Sequence, residues 1–181
     1  MSLIKSISGI RGTIGGHVGE NLTPLDIVKF TAAFATIICD GKTTPRMVVG
    51  RDGRISGSMV QQLVMQTLVG LGVEVIDLGL STTPTVELAV PAEKAAGGII
   101  ITASHNPQEW NALKLLNAEG EFIDAEVGRK VLQLAEKELF QFATVEKLGS
   151  IVSKDYLATH INAIVNYPLV DAALINSRQL K

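Results

Sequence analysis

The chain predicts an α/β fold, a mainly parallel three-layer α/β/α sheet domain with one antiparallel strand, followed by a C-terminal helical extension. Short aliphatic runs alternate with longer segments whose apolar residues recur at helical spacing, the pattern of strands joined by right-handed crossovers. Hydrophobic residues make up 46% of the 181 residues and aromatic residues only 4%. The core is therefore aliphatic, as expected of strands covered on both faces by helices. The length suits one domain of about 100–200 residues with a short addition.

Thr23 and Pro24 read as an N-cap and first helical residue, and Ile27, Phe30, Ala33, Phe34 and Ile37 repeat at helical spacing until a stop before Gly41. A strand over 46–50, with Met47, Val48 and Val49 at its centre, runs straight into the turn Arg51-Asp52-Gly53-Arg54. Ser56 or Ser58 caps the next helix, whose Val60, Leu63, Val64, Thr67, Leu68 and Leu71 share a face before Gly72. A second strand covers 73–78, Thr83-Pro84 opens a third helix, and Gly97–Ile101 is the third strand. Residues 113–116 form the antiparallel strand, and 124–140 an acidic-capped amphipathic helix. Residues 141–153 read as a connection. Helical spacing returns over 154–166, with Tyr156, Leu157, Ile161, Ile164 and Val165 on the apolar face, and breaks at Pro168; 169–180 is a further helical piece with no further strand. The expected division is a domain over 1–150 and linker helices over 151–181.

A formal net charge of −2 carries no electrostatic footprint for nucleic acid. No apolar run approaches the roughly 18 residues of a membrane span, and the N-terminus lacks a signal-peptide core. The single cysteine, Cys39, lies in an apolar helical run and reads as a buried thiol, which fits a reducing cytoplasm. His17 and His160 lack acidic or cysteine partners at metal-ligand spacing and read as surface or packing residues.

The chemistry concentrates in Thr102-Ala103-Ser104-His105-Asn106-Pro107, which follows the third strand at its carboxyl end, where ligands bind α/β sheets. A serine hydroxyl needs neighbours to act as a nucleophile. His105, Asn106 and Lys114 are the polar groups able to position or neutralise a phosphoryl group on Ser104; the alternative is a polar loop with a capping serine. Arg51 and Arg54 either contact phosphate and help hold the serine loop, or form an ion-paired corner with Asp52 between strand and helix. Gly9 and Gly12 read as tight turns that present Arg11.

This loop resembles the phosphoserine loop of the α-D-phosphohexomutases, the family of phosphoglucomutase, phosphomannomutase and phosphoglucosamine mutase. Ser8-Gly9-Ile10-Arg11-Gly12 resembles the family's opening motif, Gly50-Arg51-Asp52-Gly53-Arg54 its second, and residues 111–114 the element after the serine loop. The resemblance spans nearly the whole chain but only the first of four family domains and the approach to the second, which implies a fragment with little or no turnover alone.

By that resemblance Ser104 carries a phosphoryl group, gives it to a hydroxyl of a hexose or hexosamine phosphate, and recovers the sugar's other phosphate from a bisphosphorylated intermediate. Lys114 is the implied general acid or base, with Arg11 holding phosphate or lowering the lysine's pKa by like-charge proximity. His105 is the second choice for proton transfer. Arg51, Arg54, Asn106 and Asn111 are implied substrate contacts. The implied cofactors are Mg2+ and an activator of the glucose 1,6-bisphosphate type. The chain has no Asp-x-Asp cluster, so Ser104 is the one assignable metal ligand and the rest would come from a second domain. Ala112 departs from a common family glycine, and Trp110 stands where other aromatics or an acid are familiar; both bear on sugar preference. The context of Trp110, Asn111, Leu113 and Lys114 leans toward a phosphoglucosamine or mixed-sugar mutase. A non-catalytic sugar-phosphate-binding domain is the alternative from another class. A serine hydrolase using Ser104 with His105 is disfavoured by the absence of a Gly-x-Ser-x-Gly elbow. A surface made for a further domain leaves room for homo-oligomers.

Overall fold

The structure is a computed structural model, which describes residues 2–6 and 9–179. Ser8 of the opening motif lies outside the described residues, as does the end of the last expected helix. The elements are β1 (Ile4–Ser6), β2 (Gly9–Thr13), α1 (Pro24–Ile38), β3 (Arg46–Arg51), α2 (Gly57–Gly70), β4 (Glu74–Leu80) and α3 (Thr83–Ala92). They continue with β5 (Gly97–Ile101), β6 (Trp110–Leu116), α4 (Ala125–Lys137), β7 (Ile151–Ser153), α5 (Leu157–Val165) and α6 (Ala172–Ser177).

Local chemistry sets the helix ends. At α1 the Thr23 hydroxyl accepts from Asp26 N–H while the Asp26 carboxylate accepts from Thr23 N–H, a reciprocal capping box with Pro24 in the first turn. Asp124 Oδ1 accepts from both Glu126 and Val127 N–H, each at 2.8 Å, and so starts α4. That helix stops at Glu138, which turns left-handed at φ 52°, short of the expected Phe140. Ser56 stands at the start of α2 but makes no side-chain cap, because its Oγ instead accepts from Asn111 Nδ2 at 3.0 Å.

Among the described residues, seven strands form one sheet in the order β1-β2-β6-β5-β3-β4-β7. Strands β5, β3, β4 and β7 are mutually parallel, β6 runs against β5 and β2, and β1 runs against β2. The expected antiparallel strand is therefore present as β6, longer than 113–116, and β1 is a second reversed strand that the sequence did not announce. The Gly9 and Gly12 segment is a correction of another kind: it is strand β2, not a turn. Gly9 has φ 147°, and a Cβ there would fall 2.2 Å from the Leu113 carbonyl oxygen, so its glycine serves close approach of β2 to β6. The connection over 141–153 also holds structure, a 3-10 turn at Val145–Lys147 and the edge strand β7 paired with β4.

Alternation along the buried strands separates two apolar layers. Ile10, Met47, Val49, Ile99, Ile101, Leu113 and Leu115 pack with the inner faces of α1, α2 and α4, whereas Val48, Ile76, Ile100 and Leu116 meet Val86, Ala89 and Val90 of α3. Phe34 of α1 is fully buried in the first layer. Phe34→Ala is expected to cost about 3–5 kcal/mol by leaving a cavity. The check is a fall in the urea midpoint at unchanged slope.

The tail is tied to this domain by polar contacts. Lys154 Nζ lies 2.7 Å from Glu93 Oε2, and the Tyr156 hydroxyl donates to Glu93 Oε1. These two hydrogen bonds, that of Lys154 first, hold the Glu93 carboxyl below its ordinary value, and burial with the Glu93 hydrogen bond pushes Tyr156 up to about 12. A depressed carboxyl stabilises the fold above its unfolded value, and the benefit disappears as pH falls through the folded value. The melting temperatures of wild type and Glu93→Gln are expected to differ at neutral pH and to converge on acidification. A gap that stays constant down to pH 3 would refute this coupling. On α5, His160 Nδ1 hydrogen-bonds the Thr85 hydroxyl of α3 at 2.8 Å, while Leu157, Ile161, Ile164 and Val165 stay largely exposed. No helix among the described residues is long and apolar enough to cross a membrane.

Candidate active site

The residues of β5 are all buried, and at its carboxyl end the chain turns sharply through the serine loop. Ser104 adopts φ 54°, a left-handed conformation that costs a residue with a Cβ roughly 1–2 kcal/mol. Three contacts hold the turn. Ser104 N–H donates to Thr102 Oγ1 at 3.1 Å, Asn106 N–H to the Ala103 carbonyl at 3.0 Å, and Trp110 N–H to the Pro107 carbonyl at 3.0 Å. Thr102 and Ala103 are buried, whereas Ser104 and His105 are exposed. The serine hydroxyl thus stands at the surface on a rigid base.

Two cations reach the same place by strand register. Gly9 pairs with Lys114 and Arg11 with Ala112 across β2 and β6, so Arg11 and Lys114 share one face of the sheet, opposite that of Ile10 and Leu113. The helix on this face, α3, packs chiefly on β3 and β5 and meets β6 at Leu116, while the part of β2 and β6 that carries Arg11 and Lys114 is open. There lies a pocket of about 460 Å³ lined by Arg11, Ser104, His105, Asn106, Lys114 and Phe122, among others. None of the lining residues is acidic. Lys114 Nζ sits 5.8 Å from the Phe122 ring centroid, a cation–π distance that holds the ammonium at the pocket wall. A cavity lined by two basic side chains, one imidazole and the exposed hydroxyl-bearing residues Ser6 and Ser104 suits an anion, and a phosphoryl group in particular.

Gly9, Ala112 and Leu113 also line the pocket, whereas Arg51, Arg54 and Asn111 lie outside its lining. Arg51 donates from Nε to Gln61 Oε1 at 2.8 Å and from a terminal nitrogen to the Asp52 carbonyl at 3.1 Å. Asn111 is fully buried; its Nδ2 donates to Ser56 Oγ and its Oδ1 accepts from Ala112 N–H at 2.8 Å. Arg54 runs beneath the serine loop and bonds its carbonyls. Cys39 ends α1 away from the pocket, and burial pushes its thiol up to about 11, consistent with an inert packing role. Phe122 and Thr102 had no individual signal in the sequence. The turn that folds Phe122 back toward Leu116 was nonetheless readable in Asn117 and Gly120, where Asn117 Oδ1 accepts from Glu119 and Glu121 N–H and Gly120 takes φ 81°. No group of three or more His, Cys, Asp or Glu among the described residues could hold a metal ion.

A family model described as phosphoglucomutase/phosphomannomutase, alpha/beta/alpha domain I, matches residues 3–142. A phosphoglucomutase/phosphomannomutase of Thermococcus kodakarensis is 37% identical over 171 residues, 93% of this chain and 37% of the relative. A phosphoglucosamine/phosphogalactosamine mutase of Sulfurisphaera tokodaii is 32% identical over 183 aligned residues, 100% of this chain and 38% of the relative. A crystal structure of a phosphoglucomutase/phosphomannomutase family protein from Burkholderia thailandensis superposes with a TM-score of 0.76 at 22% identity, covering 91% of this chain and 35% of that one, a likeness of fold. The chain thus spans little more than a third of the length of these relatives.

Proposed function

Because the chain belongs to the phosphoglucomutase/phosphomannomutase family, as its α/β/α domain I, we propose that it is the phosphoryl-carrying part of an enzyme that interconverts sugar 1-phosphates and 6-phosphates. The observation that supports this most directly is the meeting of Ser104, on its left-handed turn, with Arg11 and Lys114 in one cationic pocket. In the proposed cycle a hydroxyl oxygen of the sugar monophosphate attacks the phosphorus on Ser104. The new O–P bond forms as the P–Oγ bond breaks. Lys114 is the general base for the hydroxyl proton, with His105 the second candidate, and a proton is returned to Oγ. Arg11 offsets the charge of the phosphoryl oxygens as they move. The sequence then runs in reverse from the sugar's other phosphate, which restores phosphoserine.

The substrate class is hexose or hexosamine monophosphate. The named relatives act on glucose, mannose, glucosamine or galactosamine phosphates, and both groups share this domain. The described residues hold no cluster of three or more His, Cys, Asp or Glu and no acidic residue lines the pocket, so of this chain's residues only Ser104 is assigned to magnesium. In this proposal Mg2+ is completed by ligands from a second domain, and residues 151–181 lead toward it. A bisphosphorylated sugar of the glucose 1,6-bisphosphate type loads the serine, and the enzyme works in the cytoplasm.

The test is peptide mass spectrometry of the intact protein after incubation with glucose 1,6-bisphosphate and magnesium. Phosphate on the Ser104 peptide is the expected result. An active enzyme whose Ser104 never carries phosphate would overturn the proposal.

A further inference from the structure

Arg54 makes the densest set of side-chain contacts with the serine loop. One terminal nitrogen donates to the carbonyl oxygens of Pro107 at 2.7 Å and Trp110 at 3.0 Å, and the other to those of Ser104 at 2.8 Å and Asn106 at 2.7 Å. Its side chain is 11% exposed, and its Nε lies 3.3 Å from Asp52 Oδ2 without hydrogen-bond alignment. Asp52 in turn accepts from Arg54 N–H at 3.0 Å, which fixes the corner that carries the arginine. The four N–H groups on the terminal nitrogens are thereby matched by four carbonyls. A guanidinium so occupied has no terminal donor left for a phosphate.

We infer that Arg54 is a positioning residue that locks the Ser104 loop in its strained turn by gathering its carbonyls on one side, and does not itself bind substrate phosphate. The inference rests on the phosphoserine reading for its catalytic consequence, but its structural half stands apart from it. The physical reason lies in the peptide plane. No described peptide bond is cis, so the His105 N–H points opposite to the Ser104 carbonyl and hence away from Arg54. Holding that carbonyl therefore fixes the orientation of the whole Ser104–His105 peptide, and with it the direction in which Ser104 leaves the loop. A planar, permanently charged fork suits this task, whereas an ammonium cannot span carbonyls spread over seven residues.

The test compares Arg54→Lys and Arg54→Met with wild type in the intact protein, by amide hydrogen exchange and by the kinetics of phosphoryl transfer from Ser104 to glucose 1-phosphate. Exchange at the Asn106 and Trp110 amides is expected to accelerate while the amides of β5 keep their protection. The transfer rate is expected to fall about 10²-fold, the size of effect that an ångström-scale misplacement produces, with KM nearly unchanged. Lysine should recover part of the loss. Unchanged loop exchange in both variants would overturn the inference, as would a raised KM with kcat intact, which would mark Arg54 as a phosphate ligand. If wild-type Ser104 accepts no phosphate, the mutase reading fails on its own, and the exchange data still decide whether Arg54 holds the loop.

Discussion

Ser104→Ala is expected to abolish mutase activity of the intact protein, by roughly 10⁴-fold or more, because the substitution removes the atom that carries the transferred group. The change deletes one oxygen from an exposed residue, so folding should be nearly untouched. Alanine at φ 54° carries the same backbone penalty as serine, and the carbonyl contacts of Arg54 do not involve the side chain. Full loss of activity together with an unchanged melting temperature and retained binding of sugar phosphate is therefore the expected signature. Residual activity above about one-hundredth of wild type would sink the carrier role, since a loss of 10² or less is within what a mere misplacement produces.

The second large effect is at Lys114. Lys114→Met keeps an unbranched side chain one atom shorter and removes both charge and proton, and kcat is expected to fall by about 10²–10⁴-fold, the range of a lost general acid or base. Lys114→Arg discriminates between roles. Arginine keeps the charge beside Phe122 and can grip phosphate, but it does not exchange a proton in any working pH range. If Lys114 moves a proton, arginine should rescue affinity and not turnover; if arginine restores kcat, Lys114 is a phosphate clamp and His105 becomes the base to test.

Much of the scaffold was legible because it rests on local chemistry. Thr23-Pro24 announced α1, the Val-containing run announced β3, and Gly97–Ile101 was read to the residue as β5, whose residues are all buried. The serine loop was found because a polar, turn-forming hexapeptide after a buried strand has few other uses in an α/β sheet. The three strands that escaped, β1, β2 and β7, lack a local signal: two are three residues long at the sheet edges, and the third holds two glycines. The places of β2 and β7 in the sheet are set by partners far along the chain, Leu113 for Ile10 and Val75 for Ile151, whereas β1 pairs with the adjacent β2. Nor could motif order separate the arginines, since Arg11 and Arg54 both sit in glycine-containing motifs.

By itself the sequence determined the alternation of strands and helices, the aliphatic core, the caps of α1 and α4, and which hydroxyl, amine and guanidinium groups were worth following. Only the tertiary structure decided how they are divided. Register across β2 and β6 put Arg11 and Lys114 on one open face of the sheet, while the approach of the β3–α2 corner turned Arg54 under the loop and buried Asn111 against Ser56. The physical reason is that a guanidinium or amide bonds whatever acceptors the fold brings within 3 Å, and the acceptors of Arg54 and Asn111 lie fifty or more residues away in the chain.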